Sequence, residues 1–139
     1  MSDAAAGLAT QNLNKLELAE RATVIRSDWV NWPGWGDADL ILSNTPYVRT
    51  DVIPTLDRTV RAFDPISALD GGEDGLVAYR SLARCAQMMK SGASLVLEIG
   101  FDQADDVAHL LEQAGLEHIS VSQDLNAHDR VVSARQPMQ

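Results

Sequence analysis

The sequence predicts an α/β sandwich with a mostly parallel sheet. Two short apolar runs carry the prediction, "DLILS" (39–43) and "SLVLEIG" (94–100). Neither alternates, which is the pattern of strands covered on both faces. Segments with helical spacing of apolar residues lie between and after them, as in folds that layer helices on a sheet. At 139 residues, with 45% hydrophobic and 22% charged residues, the chain is expected to form one domain with a core of its own.

The elements follow in order. Ala5, Leu8, Ala9, Leu13 and Leu16 recur at helical spacing over residues 3–18, with Asp3 placed to cap the start. "ATVIRS" (22–27) is short and β-branched and reads as a strand. "NWPGWGDA" (31–38) is a loop by its Pro and Gly content. After the strand "DLILS", residues 44–74 hold three prolines and two adjacent glycines with little period, which predicts a long loop with one short helical turn. A helix is expected over 75–89, where Leu76, Tyr79, Leu82, Ala83, Ala86 and Met89 share a face, and Gly92 stands where it would stop. "SLVLEIG" is the next strand. Ala104, Val107, Ala108, Leu111 and Ala114 predict a second helix over 103–114, ended by Gly115. "HISVSQD" and "DRVVSAR" alternate and follow each other closely, as a terminal hairpin does.

Composition narrows the function classes. The formal net charge of −9 is spread along the chain and disfavours direct binding to nucleic-acid phosphates. No apolar run approaches the roughly 20 residues that span a bilayer, and the N-terminal stretch lacks a secretory pattern, so no membrane partner is expected. A single cysteine, Cys85, fits a reducing compartment, and the expected location is cytoplasmic. His109, His118 and His128 have no metal-ligand spacing with one another or with Cys85, so no metal site is expected. Cys85 reads as a small packing residue in a helix. Glu98 sits inside an apolar strand and needs a partner, either a cofactor-facing contact or an arginine.

The stretch "ADLILSNTPYV" (38–48) ends a buried-looking strand on Asn44, followed by Thr45, Pro46 and Tyr47. In open α/β sheets, ligands bind beyond the carboxyl ends of the strands. The Asn44 side-chain carbonyl and the backbone carbonyl beside it offer two acceptors to the two N–H groups of a primary amide or amine. Such a grip works mainly by positioning the nitrogen. Asn44 and Pro46 could equally be a simple turn at a strand end, and these four residues alone leave both readings open.

These residues also carry a resemblance. "ADLILSNTPYV" resembles the strand and "NPPY" signature of amino methyltransferases that use S-adenosylmethionine. "RAFDPISALDGGEDGLVAYR" (61–80), "LVLEIGFDQ" and "HDRVVSAR" are similar to segments of one family among them, the peptide chain release factor glutamine methyltransferases. The Asp-Pro-x-x-Ala-Leu-Asp-Gly-Gly-x-Asp-Gly run is the selective part. The resemblance covers about Ala5 to Arg135 and implies a Rossmann-like methyltransferase sandwich, truncated at its N-terminal side. It implies methyl transfer from S-adenosylmethionine to a glutamine side-chain amide, with a release factor as protein substrate. Asn44 would be catalytic and contact both substrate amide and cofactor. Thr45, Pro46 and Tyr47 would complete the substrate pocket, and Asp28 and Trp29 would hold the adenine. For Asp28 a loop or capping acid is the other reading; Trp29, Trp32 and Trp35 also read as loop anchors.

Two departures from the family pattern follow. Thr45 stands where the family has proline, which keeps the carbonyl but releases φ and adds an N–H. The family's glycine-rich cofactor loop, its strand and the acidic ribose grip have no counterpart in residues 1–139, and "DGGEDG" (70–75) follows no strand. The chain thus reads as a partial S-adenosylmethionine-dependent methyltransferase domain, residues 1–139, with weak or absent cofactor binding expected. The alternative is a catalytically inactive methyltransferase remnant acting as a protein-binding or self-associating module. "DLILS" would lack one neighbour, so "ATVIRS" pairs with it, a second copy does, most simply in a twofold homodimer, or the region stays partly disordered; self-association is the favoured outcome.

Overall fold

The computed structural model describes residues 2–138. The chain divides into two compact units, one up to Trp32 and one from Pro33 on.

The first unit is built on helix α1 (Asp3–Lys15). Ser2 rather than Asp3 is its N-cap, with the hydroxyl accepting from the Ala5 N–H at 3.3 Å. Asp3 sits in the first turn, where a negative charge complements the helix dipole, and pairs with Arg26. No residue of α1 is buried. Residues 22–27 form no strand, which corrects the expectation for "ATVIRS". A β-branched hexapeptide becomes a strand only where another backbone completes its hydrogen bonds. The unit closes on a turn in which Asp28 accepts from the Asn31 N–H at 2.7 Å and from Asn31 Nδ2 at 2.8 Å.

The second unit holds the sheet. Its strands are β1 (Leu40–Ser43), β2 (Ser94–Glu98), β3 (Glu117–Gln123) and β4 (Asp129–Arg135), in spatial order β1-β2-β4-β3. β1 and β2 pair in parallel, with Ile41 opposite Leu95 and Ser43 opposite Leu97. β4 lies antiparallel to both β2 and β3, and the β3–β4 hairpin is the expected terminal pair. The α/β class therefore holds, with a mixed sheet of one parallel and two antiparallel junctions among the described residues.

One sheet face is the core. Ile41, Leu95, Leu97, Val132 and Ala134 are buried there, together with Tyr79 and Leu82 of helix α4 (Val77–Ala86) and Val107 and Leu111 of helix α5 (Ala104–Gln113). Each fully buried Leu or Val contributes roughly 1.5–3 kcal/mol relative to exposure. Cys85 is one of these packing residues. Both helices arise where their apolar spacing placed them, α4 trimmed by two and three residues at its ends and α5 by one at each.

The opposite face differs from expectation. Leu40 is 53% and Leu42 69% exposed, so β1 buries only its Ile41 face. Among the described residues β1 is bonded to a strand on one side alone, which makes it an edge. Residues 44–74 are also more ordered than one turn of helix. A 3-10 helix at Ile53–Thr55 is followed by α2 (Arg58–Phe63) and α3 (Ile66–Leu69). Asp57 caps α2 by accepting from the Thr59 N–H at 2.7 Å, and Pro65 opens α3. Prolines at helix starts hide such short helices from periodicity.

Candidate functional site: an asparagine-led turn at the end of β1

Ile41 anchors β1 in the core, and the chain leaves the sheet at Ser43. The next four residues differ sharply in environment. Asn44 is exposed, Thr45 is only 3% exposed, and Pro46 and Tyr47 are half-buried. The turn is thus seated by Thr45 and presents Asn44 outward, at the carboxyl end of a strand that runs parallel to β2.

The segment after the turn is tied to the glycine-rich run. The Val48 N–H donates to the Leu69 carbonyl at 2.9 Å, the Gly71 N–H to the Val48 carbonyl at 2.8 Å, and the Thr50 N–H to the Gly72 carbonyl at 3.0 Å. Asp70 locks this ladder by accepting from the Thr50 hydroxyl at 2.7 Å and the Gly72 N–H at 2.9 Å. The same two bonds, the hydroxyl first, hold the Asp70 carboxyl below its ordinary pKa. Gly71 is required here, because a Cβ on it would stand 2.9 Å from the Tyr47 Cα. The Asp-Gly-Gly run is therefore a cradle for the turn rather than a phosphate loop.

Tyr47 is fixed through its ring. Its hydroxyl donates to Glu98 Oε1 at 3.2 Å. Burial first, then the nearby Glu98 charge, raises the Tyr47 pKa. Glu98 thus finds a tyrosine as its partner, where a cofactor-facing contact or an arginine was expected, although Arg130 lies close enough to Tyr47 to lower that pKa in turn. The Tyr79 hydroxyl donates to the Glu98 carbonyl at 2.8 Å. Burial is again the main cause of the raised Tyr79 pKa, and the Thr45 hydroxyl opposes it. That Thr45 hydroxyl is near Tyr79, yet meets no hydrogen-bond partner of good geometry among the described residues.

An open cavity of about 910 Å³ lies against the turn, lined among others by Tyr47, Arg49, Leu76, Phe101 and Arg130. Asp74 and Arg80 form an ion pair on its wall. The Arg80 guanidinium, followed by the Leu76 N–H, pulls the Asp74 pKa down to about 2. Arg130 donates to the Ile99 carbonyl at 3.1 Å and pairs with Asp124 at 3.4 Å.

Asn44, Thr45, Pro46 and Tyr47 lie together in the irregular segment that leads from β1 to the Val48 bridge. Asp28 and Trp29 lie in the closing turn of the first unit, both exposed. The backbone bond from Asn31 is the main cause of the lowered Asp28 pKa, which fits the capping reading. Each Asp28 oxygen still has a lone pair to offer, so the residue also fits a contact to an adenine amino group. Trp35 is buried and anchors the second unit, whereas Trp29 is 37% exposed. No group of three or more His, Cys, Asp or Glu among the described residues could hold a metal ion. No described helix is long and apolar enough to cross a membrane.

Sequence reasoning missed Tyr79, Arg130 and Gln103 around the turn. Gln103 is 7% exposed, and the signal available was a lone amide side chain between an apolar strand and a helix.

The fold is the α/β Rossmann-like one that solved methyltransferases share. A solved protein from Nostoc punctiforme described as an O-methyltransferase shares the fold at a TM-score of 0.57 and 12% identity, over 94% of this chain and 41% of that one. A Bordetella parapertussis protein does so at 0.60 and 17%, over 98% and 51%. No family model matches the sequence. Within that fold the chain is related to the release factor glutamine methyltransferases. It is 42% identical to the Caulobacter vibrioides enzyme of that name over 132 residues, covering 94% of this chain and 46% of the relative. With that of Cereibacter sphaeroides the figures are 44%, 99% and 49%, and with that of Clostridium botulinum 36%, 90% and 45%. The chain spans about half the length of the curated relatives it matches.

Proposed function

We propose that this chain supplies the amide-gripping part of an S-adenosylmethionine-dependent methyltransferase that modifies a glutamine side chain of a peptide chain release factor. One observation carries the reading: Asn44 is presented outward at the end of β1, just ahead of the buried Thr45 and of Tyr47, whose hydroxyl is bonded to Glu98 and which lines a cavity of about 910 Å³. The Asn44 side-chain carbonyl and the Thr45 backbone carbonyl accept the two N–H groups of the glutamine amide. Held this way, the nitrogen lone pair faces the electrophile without a strong base. Tyr47 walls the pocket and packs on the planar amide.

S-adenosylmethionine, when bound, supplies an electrophilic methyl group. In the second unit Asn44 fits the reacting end; for Asp28 and Trp29 of the first unit, the adenine contact rests on the resemblance alone. The glycine-rich loop and ribose acid of the family pattern are not among residues 1–139, so cofactor binding by these residues is weak. Calorimetric titration with S-adenosylmethionine shows no saturation in the low micromolar range under this reading, and a tight stoichiometric isotherm contradicts it. The substrate assignment is tested by incubating the chain with a release factor and excess cofactor, then mapping the product by mass spectrometry. One methyl group on one glutamine supports the assignment; methylation of any other side chain overturns it.

A second reading is favoured by the open edge of β1 with Leu40 and Leu42 exposed: an inactive remnant that binds a protein partner or a second copy of itself.

A further inference from the structure

We infer that Gln103 is the positioning residue that clamps the turn, an inference that rests on the function proposed above and assigns it one more member. Gln103 stands at the N-cap position of α5, yet its side chain makes no capping bond. It turns inward instead. Oε1 accepts from the Gly100 N–H at 2.9 Å, and Nε2 donates to the Tyr47 carbonyl at 3.1 Å and to the Gly75 carbonyl at 3.3 Å. The partners fix which end is oxygen and which is nitrogen, because two are acceptors and one is a donor.

Those three partners belong to three segments: the turn after β1, the glycine run before α4, and the turn after β2. Only a primary amide donates twice and accepts once from one rigid plane. The surroundings leave it room and no more. Gly75 has φ +75°, and a Cβ there would stand 2.5 Å from both Gln103 Nε2 and the Tyr47 carbonyl. A Cβ on Gly100 would stand 2.8 Å from Gln103 Oε1. Tyr47 is therefore held at both ends, by Gln103 at its backbone and by Glu98 at its hydroxyl. Asn44 and Thr45 lie just upstream in the same turn. Proline at position 45 would stiffen that turn from within; with threonine there, the clamp on Tyr47 supplies rigidity from outside.

The chain has two tyrosines, Tyr47 and Tyr79, so tyrosine-ring-labelled protein gives separable NMR signals for the turn and for the core beside it. Gln103→Met removes all three bonds at similar length. Gln103→Glu keeps the acceptor for Gly100 and loses both donors. The clamp predicts that each variant moves or broadens the Tyr47 ring signal by more than a linewidth and leaves the Tyr79 signal in place. An unmoved Tyr47 signal in the two variants overturns it. Movement of both tyrosines together, or failure of both variants to fold, also overturns it, because Gln103 is then a general packing residue. The measurement uses no methyl donor. A Tyr47 response in a chain that never methylates glutamine keeps the clamp and removes the function, while a silent Tyr47 in an active chain does the reverse.

Discussion

Thr45 concentrates the tension of the site in one residue. Its hydroxyl is buried and lacks a partner of good geometry, and a buried unpaired hydroxyl costs about 1–3 kcal/mol. Thr45→Val keeps the shape and removes the orphan, so it should stabilise the fold by about 1 kcal/mol, read from the denaturant midpoint at unchanged slope. Thr45→Pro should raise methyl-transfer turnover or leave it unchanged, since it restores the stiffer turn. A Thr45→Val protein that unfolds at lower denaturant would mean the hydroxyl has a partner after all. At this scale the place of Asn44 and Tyr47 at a strand end was legible, because a strand end followed by Asn-x-Pro-Tyr is a local pattern. It did not show Gln103, Tyr79 or the Glu98–Tyr47 bond. Those depend on which segments meet in space, and residues 47 and 98 meet only once β1 and β2 have paired.

At the scale of elements, β1 and the Asp74–Arg80 wall each allow a test. An edge strand with exposed Leu40 and Leu42 offers an unpaired backbone row and an apolar strip to another chain. Self-association through β1 should show as a dimer in sedimentation at high concentration. Leu42→Lys should return the protein to monomer with stability changed by no more than about 0.5 kcal/mol, as for other surface substitutions. A wild-type monomer at every concentration removes this role for the edge. Asp74 has a folded-state pKa of about 2 against an ordinary value of 3.8. Its folded pKa is the lower one, so its contribution is complete above about pH 4 and is lost as pH falls through about 2. The acid unfolding curve followed by circular dichroism should therefore lose this dependence between those limits in Asp74→Asn. An unchanged curve would show that the pair is fully screened by solvent. Element reading from sequence worked for α4, α5 and the terminal hairpin, where period is long enough to count. It failed for "ATVIRS", which makes no strand pairing among the described residues, and for the buried-on-both-faces reading of "DLILS". A four-residue apolar run looks the same whether one face or both are covered.

For the molecule as a whole, the α/β class followed from alternating helices and apolar strands, while the antiparallel placement of β4 between β2 and β3 did not. Period identifies a strand but not its direction. The account of the molecule comes down to one claim: Asn44 aligns a glutamine amide for methylation. The most direct measurement is the rate of label transfer from S-adenosylmethionine to a release factor, followed as the cofactor is raised well above the micromolar range, for the wild-type chain and Asn44→Ala. The account predicts slow, unsaturated transfer by the wild type and a fall on the order of a hundredfold or more in Asn44→Ala, with the fold intact. Transfer that is undiminished in Asn44→Ala, or no transfer by the wild type at any cofactor concentration, would contradict it.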